Sequence, residues 1–241
     1  MKNLILAAAM AALAASAVSA ETVRMGTEGA YPPYNFINDD GEVDGFERAV
    51  GDMLCEIAEL DCEWVTNDWD SIIPNLVSGN YDTIIAGMSI TDERDEVIDF
   101  TAEYFPSDPS GYVALAGAGD DAAMGVVAAQ TSTIQAGYVA SSGATVVEFA
   151  TPDETVAAVR SGEADAVLAD SAFLQDIVDD SNGELIFVGG DVMIGGGVGI
   201  GVRESDGELK DKLNAAIAQM KADGSLNALI TEWFDASKAV Y

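Results

Sequence analysis

The sequence predicts an α/β protein in which a second domain is inserted into the first. Short apolar runs typical of strands alternate with apolar residues at helical spacing, which indicates repeated strand–helix units. The chain has 241 residues, of which 49% are hydrophobic and 22% charged, as in globular proteins of one or two domains. It also offers two places for a crossing between domains, near 106–112 and in a glycine-rich run near 190–198.

The first residues, 1–20, have the features of a secretory signal peptide. Lys2 supplies a positive start, an apolar run follows at 4–15, and the small residues of Val18–Ala20 suit cleavage after Ala20. The run is too short to span a membrane, and no other stretch approaches about 20 uninterrupted apolar residues. We therefore expect a mature protein that works outside the cytoplasm.

The charge balance is strongly acidic, with 42 Asp and Glu against 10 Lys and Arg and a net charge of −32. Such a field repels nucleic acids and anionic membranes, so neither is an expected partner. The excess of acids is either a highly solvated surface, as in a protein of a salty habitat, or a means of attracting cationic ligands.

The chain has no histidine, which excludes His-based acid–base catalysis, the Ser-His-Asp triad and most zinc sites. Cys55 and Cys62 are its only cysteines, and we expect them to form a disulfide in an oxidising compartment. We expect no metal and no cofactor. The acidic residues at 40–45 faintly resemble a calcium loop, but Gly51 stands where the bidentate Glu is needed.

The first predicted strand, at 23–27, runs into a turn at 28–34 that contains two prolines and a glycine. Glu28 and Tyr31 lie in this turn, at the carboxyl end of the strand. Ligands bind at such ends in open α/β sheets. A hairpin turn is predicted at 39–41.

An amphipathic helix is predicted from Phe46 to about residue 58, followed by a strand at 63–66 to which the disulfide would tie it. The next helix, capped by Asp70 or a neighbour, runs to Gly79. Trp69 stands in the loop before it, again at a strand end. It is either a ligand-binding wall or a partly buried core aromatic.

A buried strand leads into the stretch at 86–94, which ends on Arg94. The guanidinium of Arg94 would suit a carboxylate, with Ser89 and the free amides of the turn taking further lone pairs. The alternative is an ordinary ion pair of Arg94 with Asp92 or Glu96.

The second domain begins after Pro106 and Pro109 and repeats the pattern. Ser132 and Thr133 open a helix after a strand, which indicates either an anion site or an ordinary capping cluster. Asp170 follows another strand, as a ligand contact or as a helix cap. The glycine-rich run does not match the dinucleotide-binding pattern, so we interpret it as the return crossing before two final helices.

Several longer motifs resemble those of a known family. They are the run from Gly87 to Arg94, the Tyr31-Pro32-Pro33 turn, the pair Cys55 and Cys62, the strand 164–170 and the terminal segment 223–234. Nearly end to end, the mature chain resembles the periplasmic amino-acid-binding proteins of ABC importers (solute-binding protein family 3), most like the lysine/arginine/ornithine- and histidine-binding group.

The resemblance implies a two-lobed periplasmic-binding-protein fold of type II, in which each lobe is a β-sheet flanked by helices and two hinge crossings connect the lobes. Lobe 1 would comprise 21–109 plus 197–241, and lobe 2 would comprise 110–196. It also implies a set of ligand-binding residues, which are Glu28, Tyr31, Trp69, Gly87, Met88, Ser89, Arg94, Ser132, Thr133 and Asp170.

By resemblance, Arg94, Ser89 and the amide of Thr133 bind the ligand α-carboxylate, while Asp170 and either the Gly87 carbonyl or a nearby hydroxyl bind the α-ammonium. Tyr31 and Trp69 would sandwich the ligand side chain, and Glu28 stands where this group has an acid that meets a basic side chain.

Three positions depart from the pattern of the basic-amino-acid binders. Ala86 and Gly87 stand where serines are expected, and Thr131 stands where glycine is common. The loss of hydroxyls leaves a neutral polar amino acid or histidine open as the ligand, beside a basic one.

The expected function is therefore capture of a free L-amino acid, basic or polar, by a monomer whose lobes close on it and which delivers it to an ABC permease in the inner membrane. A catalytic role is not expected. The alternatives are a periplasmic dehydratase on the same scaffold and a sensor module for a signalling receptor.

Overall fold

The computed structural model describes residues 22–241, and the predicted signal peptide lies outside these described residues. The strands are β1 (Thr22–Thr27), β2 (Ala30–Tyr31), β3 (Asn35–Ile37), β4 (Val43–Asp44), β5 (Asp61–Thr66), β6 (Thr83–Ile84), β7 (Asp99–Phe100), β8 (Ser110–Leu115), β9 (Val126–Gln130), β10 (Thr145–Phe149), β11 (Ala166–Asp170), β12 (Leu185–Val192) and β13 (Gly201–Val202). The α-helices are α1 (Phe46–Ile57), α2 (Ile72–Val77), α3 (Asp92–Asp95), α4 (Ile134–Ser142), α5 (Pro152–Ser161), α6 (Ser171–Asp180), α7 (Gly207–Asp223) and α8 (Ser225–Trp233).

Two five-stranded sheets carry the fold. One has the order β5-β1-β6-β13-β7 and draws its strands from both parts of the chain, whereas the other has the order β10-β9-β11-β8-β12 and comes from one continuous segment. We call the parts built on them lobe 1 and lobe 2. This architecture confirms the predicted α/β fold with two sheet-containing lobes. The exact lobe limits remain predictions.

The parallel strands of each sheet end at the same edge. β1 pairs in parallel with β5 and β6, and β9 pairs in parallel with β10 and β11. The loops that follow β1, β5 and β6 therefore meet at the carboxyl edge of the first sheet, and the ends of β9 and β11 meet at that of the second. This places the predicted site residues of each lobe together.

The glycine-rich run is a return crossing, as the sequence predicted, but it is more ordered than a flexible linker. Val198 forms β-bridges with Ser89 and with Phe105, and Gly201 pairs with β6 and β7. A Cβ on Gly195 would lie 2.8 Å from Ile134 and 3.0 Å from Ser89. The run is rich in glycine because it packs closely between the two lobes.

Helix α1 packs its apolar side into lobe 1, with Phe46, Val50 and Leu54 fully buried. The predicted disulfide between Cys55 and Cys62 is present and joins α1 to β5. The N-cap of α2 is Ser71, a neighbour of Asp70 as the prediction allowed, because a short 3₁₀ turn at Trp69–Ser71 precedes the helix. Ser71 makes no side-chain capping hydrogen bond.

Within the described residues, no helix has the length and apolar character needed to cross a membrane.

An ion cluster joins three segments of lobe 1 at the side of the sheet opposite to its carboxyl edge. The Asp82 carboxylate accepts hydrogen bonds from Arg24 Nε at 2.9 Å and from Arg203 Nη2 at 2.9 Å. Burial alone would raise the pKa of Asp82, but the hydrogen bonds from both arginines prevail and lower it to about 2.

We expect Asp82→Asn to lower the free energy of unfolding by about 2 kcal/mol at neutral pH, because two guanidinium groups lose a charged acceptor. In the wild type this contribution is present above pH 3.8 and is lost as the pH falls towards about 2. Denaturant unfolding at pH 7 and pH 2.5 measures both effects. The exposed Asp39→Asn is the control, and equal stability of both variants at pH 7 would contradict the prediction.

Candidate ligand-binding site

A cavity of about 350 Å³ of empty space, partly open to solvent, lies between the two lobes at the carboxyl ends of their strands. Its lining comes from both lobes and consists of Glu28, Tyr31, Trp69, Ala86, Gly87, Ser89, Arg94, Gln130, Thr133, Ile134, Gln135 and Asp170. Aromatic walls with a few convergent polar groups are typical of a site for a small molecule.

The predicted ligand-binding residues line this cavity, except for Met88 and Ser132. The side chain of Met88 is fully buried among the apolar residues of lobe 1. Ser132 is an exposed residue with a φ of 57°, and its carbonyl accepts a hydrogen bond of 3.4 Å from Trp69 Nε1. Ser132 thus supports a wall of the cavity from outside.

Sequence reasoning missed Gln130, Ile134 and Gln135 as lining residues, and treated Ala86 only as a departure from the family pattern. Gln130 carried a signal, because it ends a strand just before the capping cluster. Gln135 lies in the first turn of α4 and is only 6% exposed. Nothing in its local sequence distinguishes it from a surface glutamine.

Arg94 reaches the cavity from α3 and is held by backbone, not by an acid. Its Nη1 donates to the Ser89 carbonyl at 2.8 Å, and its guanidinium lies 5.4 Å from the centre of the Trp69 ring. In the described chain it forms no ion pair with Asp92 or Glu96. Burial lowers the pKa of Arg94 to about 10, although the charge of Asp170 opposes this shift. The ordinary ion pair is therefore excluded, and a partly buried cation faces the cavity.

Asp170 is the acidic counterpart in lobe 2. It stands at the N-cap of α6 but makes no side-chain cap, so the helix-cap alternative is wrong. Its Oδ2 accepts a hydrogen bond from the Tyr31 hydroxyl at 2.9 Å, and its Oδ1 accepts one from Gln135 Nε2 at 3.0 Å. Burial raises the pKa of Asp170 to about 6, and the charge of Asp108 acts in the same direction, whereas the hydrogen bond from Tyr31 and the charges of Arg94 and Lys238 lower it.

Glu28 contacts lobe 2 through Gln130, whose Nε2 donates to Glu28 Oε1 at 2.6 Å. Burial raises the pKa of Glu28 to about 7, the hydrogen bond from Gln130 lowers it, and the charges of Asp68 and Glu47 raise it further. In the part of the chain that the structure describes, Glu28 has no cationic partner. The Glu28 carboxyl is therefore available to bind a cationic group of a ligand.

The aromatic walls differ from each other. The Tyr31 ring stacks on Phe173 of lobe 2 at 4.4 Å between ring centres and on Tyr34 at 5.7 Å. Part of its surface is thus already covered, and its hydroxyl bridges the lobes through Asp170. Trp69 is 8% exposed and carries the guanidinium of Arg94 near its ring.

A buried carboxylate supports the loops of lobe 1. Glu47 on α1 is fully buried and accepts hydrogen bonds from the Gly87 N–H at 2.6 Å, from Asn35 Nδ2 at 2.7 Å and from the Tyr104 hydroxyl. Burial raises its pKa, and these hydrogen bonds oppose the shift. Since the Gly87 N–H points to Glu47, the Gly87 peptide is held with a φ of +62°, a conformation that favours glycine.

At the start of α4, the Thr133 hydroxyl caps the helix by accepting from the Ala136 N–H at 3.1 Å, and it donates to the Gln130 carbonyl at 2.6 Å. The capping interpretation is thus right for the hydroxyl, and a ligand would have to use the backbone amide.

No group of three or more Asp, Glu or Cys suited to a metal ion occurs among residues 22–241.

We expect Glu28→Gln to change how the stability of the unliganded protein depends on pH. A carboxyl whose pKa is raised from 4.5 to about 7 stabilises the fold fully below pH 4.5, and this contribution is lost as the pH rises through about 7. The variant should gain stability over the wild type between pH 4.5 and 7, because it has no carboxyl that must ionise. The gain should be at most about 3 kcal/mol, since opening of the cleft would rehydrate the Glu28 carboxylate of the wild type and reduce the difference. Thermal unfolding from pH 4 to 8 measures it, with the exposed Glu93→Gln as control. Parallel profiles of wild type and Glu28→Gln would contradict the prediction.

Known proteins resemble this chain over almost its whole length. It is 35% identical to the L-arginine-binding protein of Pseudomonas aeruginosa over 97% of each chain. It is 30% identical to the lysine/arginine/ornithine-binding periplasmic protein of Escherichia coli over 89% of this chain and 88% of that one. A solved periplasmic His/Glu/Gln/Arg/opine family-binding protein from Silicibacter pomeroyi, in complex with lysine, is 71% identical and matches 91% of this chain and 100% of its own with a TM-score of 0.88.

The family model of the bacterial extracellular solute-binding proteins, family 3, matches residues 23–236. This match confirms the resemblance seen in the sequence motifs and agrees with the two-lobed fold and its interlobe cavity. The chain belongs to family 3 of the bacterial extracellular solute-binding proteins.

Proposed function

We propose that this protein captures a free L-amino acid with a basic side chain between its lobes in the periplasm and delivers it to an ABC importer. One observation carries the proposal. Arg94 of lobe 1 and Asp170 of lobe 2 are opposite charges that line one cavity, and in the described chain neither has an ion-pair partner within 4.0 Å. A zwitterion supplies the partner that each of them lacks.

The α-carboxylate of the ligand would bind Arg94, Ser89 and the amide of Thr133. Arg94 keeps the remaining guanidinium N–H groups for a bidentate contact, because only Nη1 is used by the Ser89 carbonyl. The α-ammonium would bind Asp170 and the Gly87 carbonyl, since both residues line the cavity. Each charge of the ligand would thus meet a partly buried opposite charge.

The side chain of the ligand would lie along Trp69 and the accessible part of Tyr31, with its cationic end at Glu28. An ammonium or guanidinium there relieves the buried carboxyl, whose pKa is about 7 without a partner. The relatives named for arginine and for lysine, arginine and ornithine, and the lysine complex, support a basic ligand. Ala86 stands where the basic-amino-acid binders are expected to have a serine, so this site lacks that hydroxyl. Selectivity for a basic side chain would therefore depend on the carboxylate of Glu28.

Binding and closure are coupled in this proposal. Tyr31 donates to Asp170, and Trp69 donates to the Ser132 carbonyl, so contacts across the cleft accompany the closed arrangement. A ligand that bridges the lobes would favour this arrangement over an open one, with the two crossings as hinges. The closed monomer would then dock on a permease.

An enzyme on the same scaffold is the second candidate function, and one feature of the site would suit it. Glu28 is the one cavity acid with a pKa near 7, as a general acid or base would require. However, the most similar relatives reported above are named as binding proteins.

A thermal-shift screen of the twenty amino acids with ornithine and citrulline tests the proposal. We expect lysine, arginine or ornithine to raise the melting temperature most, since a ligand at 100 times its dissociation constant adds about 2.7 kcal/mol of stability. The ligand should be recovered chemically unchanged. A response to neutral amino acids alone would refute the role of Glu28, and turnover would favour an enzyme.

We expect Arg94→Ala and Asp170→Asn each to weaken binding by about 2–5 kcal/mol, because each variant leaves a ligand charge buried without its partner. Isothermal titration calorimetry measures the loss. Arg160→Ala and Asp191→Asn are matched controls on the surface of lobe 2, and both should bind as the wild type does. Affinity within twofold of the wild type in either test variant would rule out the zwitterion clamp.

A further inference from the structure

The cavity has a second polar pair beside the one formed by Arg94 and Asp170. Gln130 is the last residue of β9 and is 8% exposed, and its Nε2 donates to Glu28 Oε1 at 2.6 Å. The same Nε2 donates to the Ala150 carbonyl at 3.1 Å. The first bond crosses the cleft from lobe 2 to lobe 1, whereas the second anchors the amide within lobe 2.

These two acceptors determine which way the amide of Gln130 is turned. A carboxylate and a carbonyl can only accept, so the group between them must be the NH₂ and not the oxygen. The Oε1 of Gln130 then lies on the other side of the planar amide. It accepts no hydrogen bond from the described residues, and it is not one of the fully buried atoms that lack a partner, so it is accessible from one of the two cavities that Gln130 lines.

A cationic group that reached Glu28 would therefore meet two acceptors from different lobes, the free oxygen of the Glu28 carboxylate and the Gln130 Oε1. An ammonium has three N–H donors and a guanidinium five, so either can use both acceptors, whereas an aliphatic side chain of equal length can use neither. A neutral chain end would also leave the Glu28 carboxylate buried without a cation, at a cost.

We propose that Gln130 is a specificity-determining residue of this site, which selects ligands with a cationic side chain by orienting the Glu28 carboxylate and by offering its own oxygen to the cation. This inference rests on the proposed function, in that it assumes an α-amino acid in the cavity. It adds a lobe 2 residue to the recognition of the side chain, so that the cation itself helps to hold the two lobes together.

The charges around Glu28 agree with this role. Asp68 and Glu47 face it from lobe 1 and raise its pKa, whereas the hydrogen bond from Gln130 lowers the pKa. Arg94, Asp170 and Tyr31 also line the cavity, but they act chiefly on one another. Gln130 is thus the group, among the main contributors, that favours the ionised form of Glu28 on which a cationic ligand depends.

The experiment compares lysine with norleucine, which has the same carbon chain without the terminal ammonium. Calorimetry on Gln130→Met should show lysine binding weakened by roughly tenfold or more, the usual effect of losing one hydrogen bond to a charged group. Norleucine binding should stay within about twofold, because the apolar methionine is nearly isosteric with glutamine.

Two further variants separate specificity from general damage. Gln135→Met removes the donor to Asp170, and it should weaken lysine and norleucine alike. Gln175→Met, exposed on α6, should change neither. In a Glu28→Gln background the effect of Gln130→Met on lysine should shrink, since the two residues act through one contact.

The dependence on pH gives an independent readout. Without the Gln130 donor the pKa of Glu28 rises further, so lysine binding to Gln130→Met should recover as the pH is raised from 6 to 8.5, more than it does in the wild type. Norleucine binding should show no such recovery.

The outcomes distinguish the two proposals. If the wild type binds no α-amino acid, the proposed function is overturned and this inference with it. If the wild type prefers lysine but Gln130→Met keeps the same preference over norleucine, or loses both ligands equally at every pH, this inference alone is overturned. A selective, pH-dependent loss of lysine supports it.

Discussion

The structure depends on keeping two partly buried opposite charges apart. Arg94 and Asp170 face one cavity from different lobes, and each lacks an ion-pair partner in the described chain. A direct ion pair between them would neutralise both charges, and neither would then be available to bind a ligand. Burial acts on both groups in the direction of neutrality, lowering the pKa of Arg94 and raising that of Asp170. A zwitterion would give each of these charges an ion-pair partner, and part of its binding free energy would come from these two ion pairs.

Much of the surrounding structure serves to hold these charges in place without neutralising them. Arg94 donates to a carbonyl, and Asp170 accepts from a hydroxyl and an amide, so each has hydrogen bonds that leave its net charge intact. Glu47 does the same for the neighbouring loop, since its buried carboxylate is met by a peptide N–H, an amide and a hydroxyl and by no described cation. Neutral donors and acceptors thus position the site, while the charges remain available.

In the proposed function, the side chain of the ligand is recognised separately from its α-carboxylate and α-ammonium groups. Glu28 and Gln130 form a contact between the lobes that is formally similar to that of Tyr31 and Asp170, with one acid and one neutral donor. Both contacts lie at the carboxyl ends of strands, because parallel strands in each sheet bring their following loops to one edge. The net charge of −32 gives a long-range attraction for cations, whereas the choice among them is made by these short-range contacts.

The sequence by itself determined the order of strands and helices, the two crossings, the disulfide and the family, since these depend on local periodicity, turn residues and linear motifs. It also indicated Arg94 and Asp170, because an arginine after a small-residue turn and an acid after a buried strand are local signals. Tertiary structure decided what local patterns cannot express. It placed Met88 in the core, excluded the ion pair of Arg94 with its neighbours, turned Asp170 away from its helix, and brought Gln130 and Gln135 into the cavity. These outcomes depend on which groups from distant segments meet across the cleft, and no periodicity in the chain encodes that meeting.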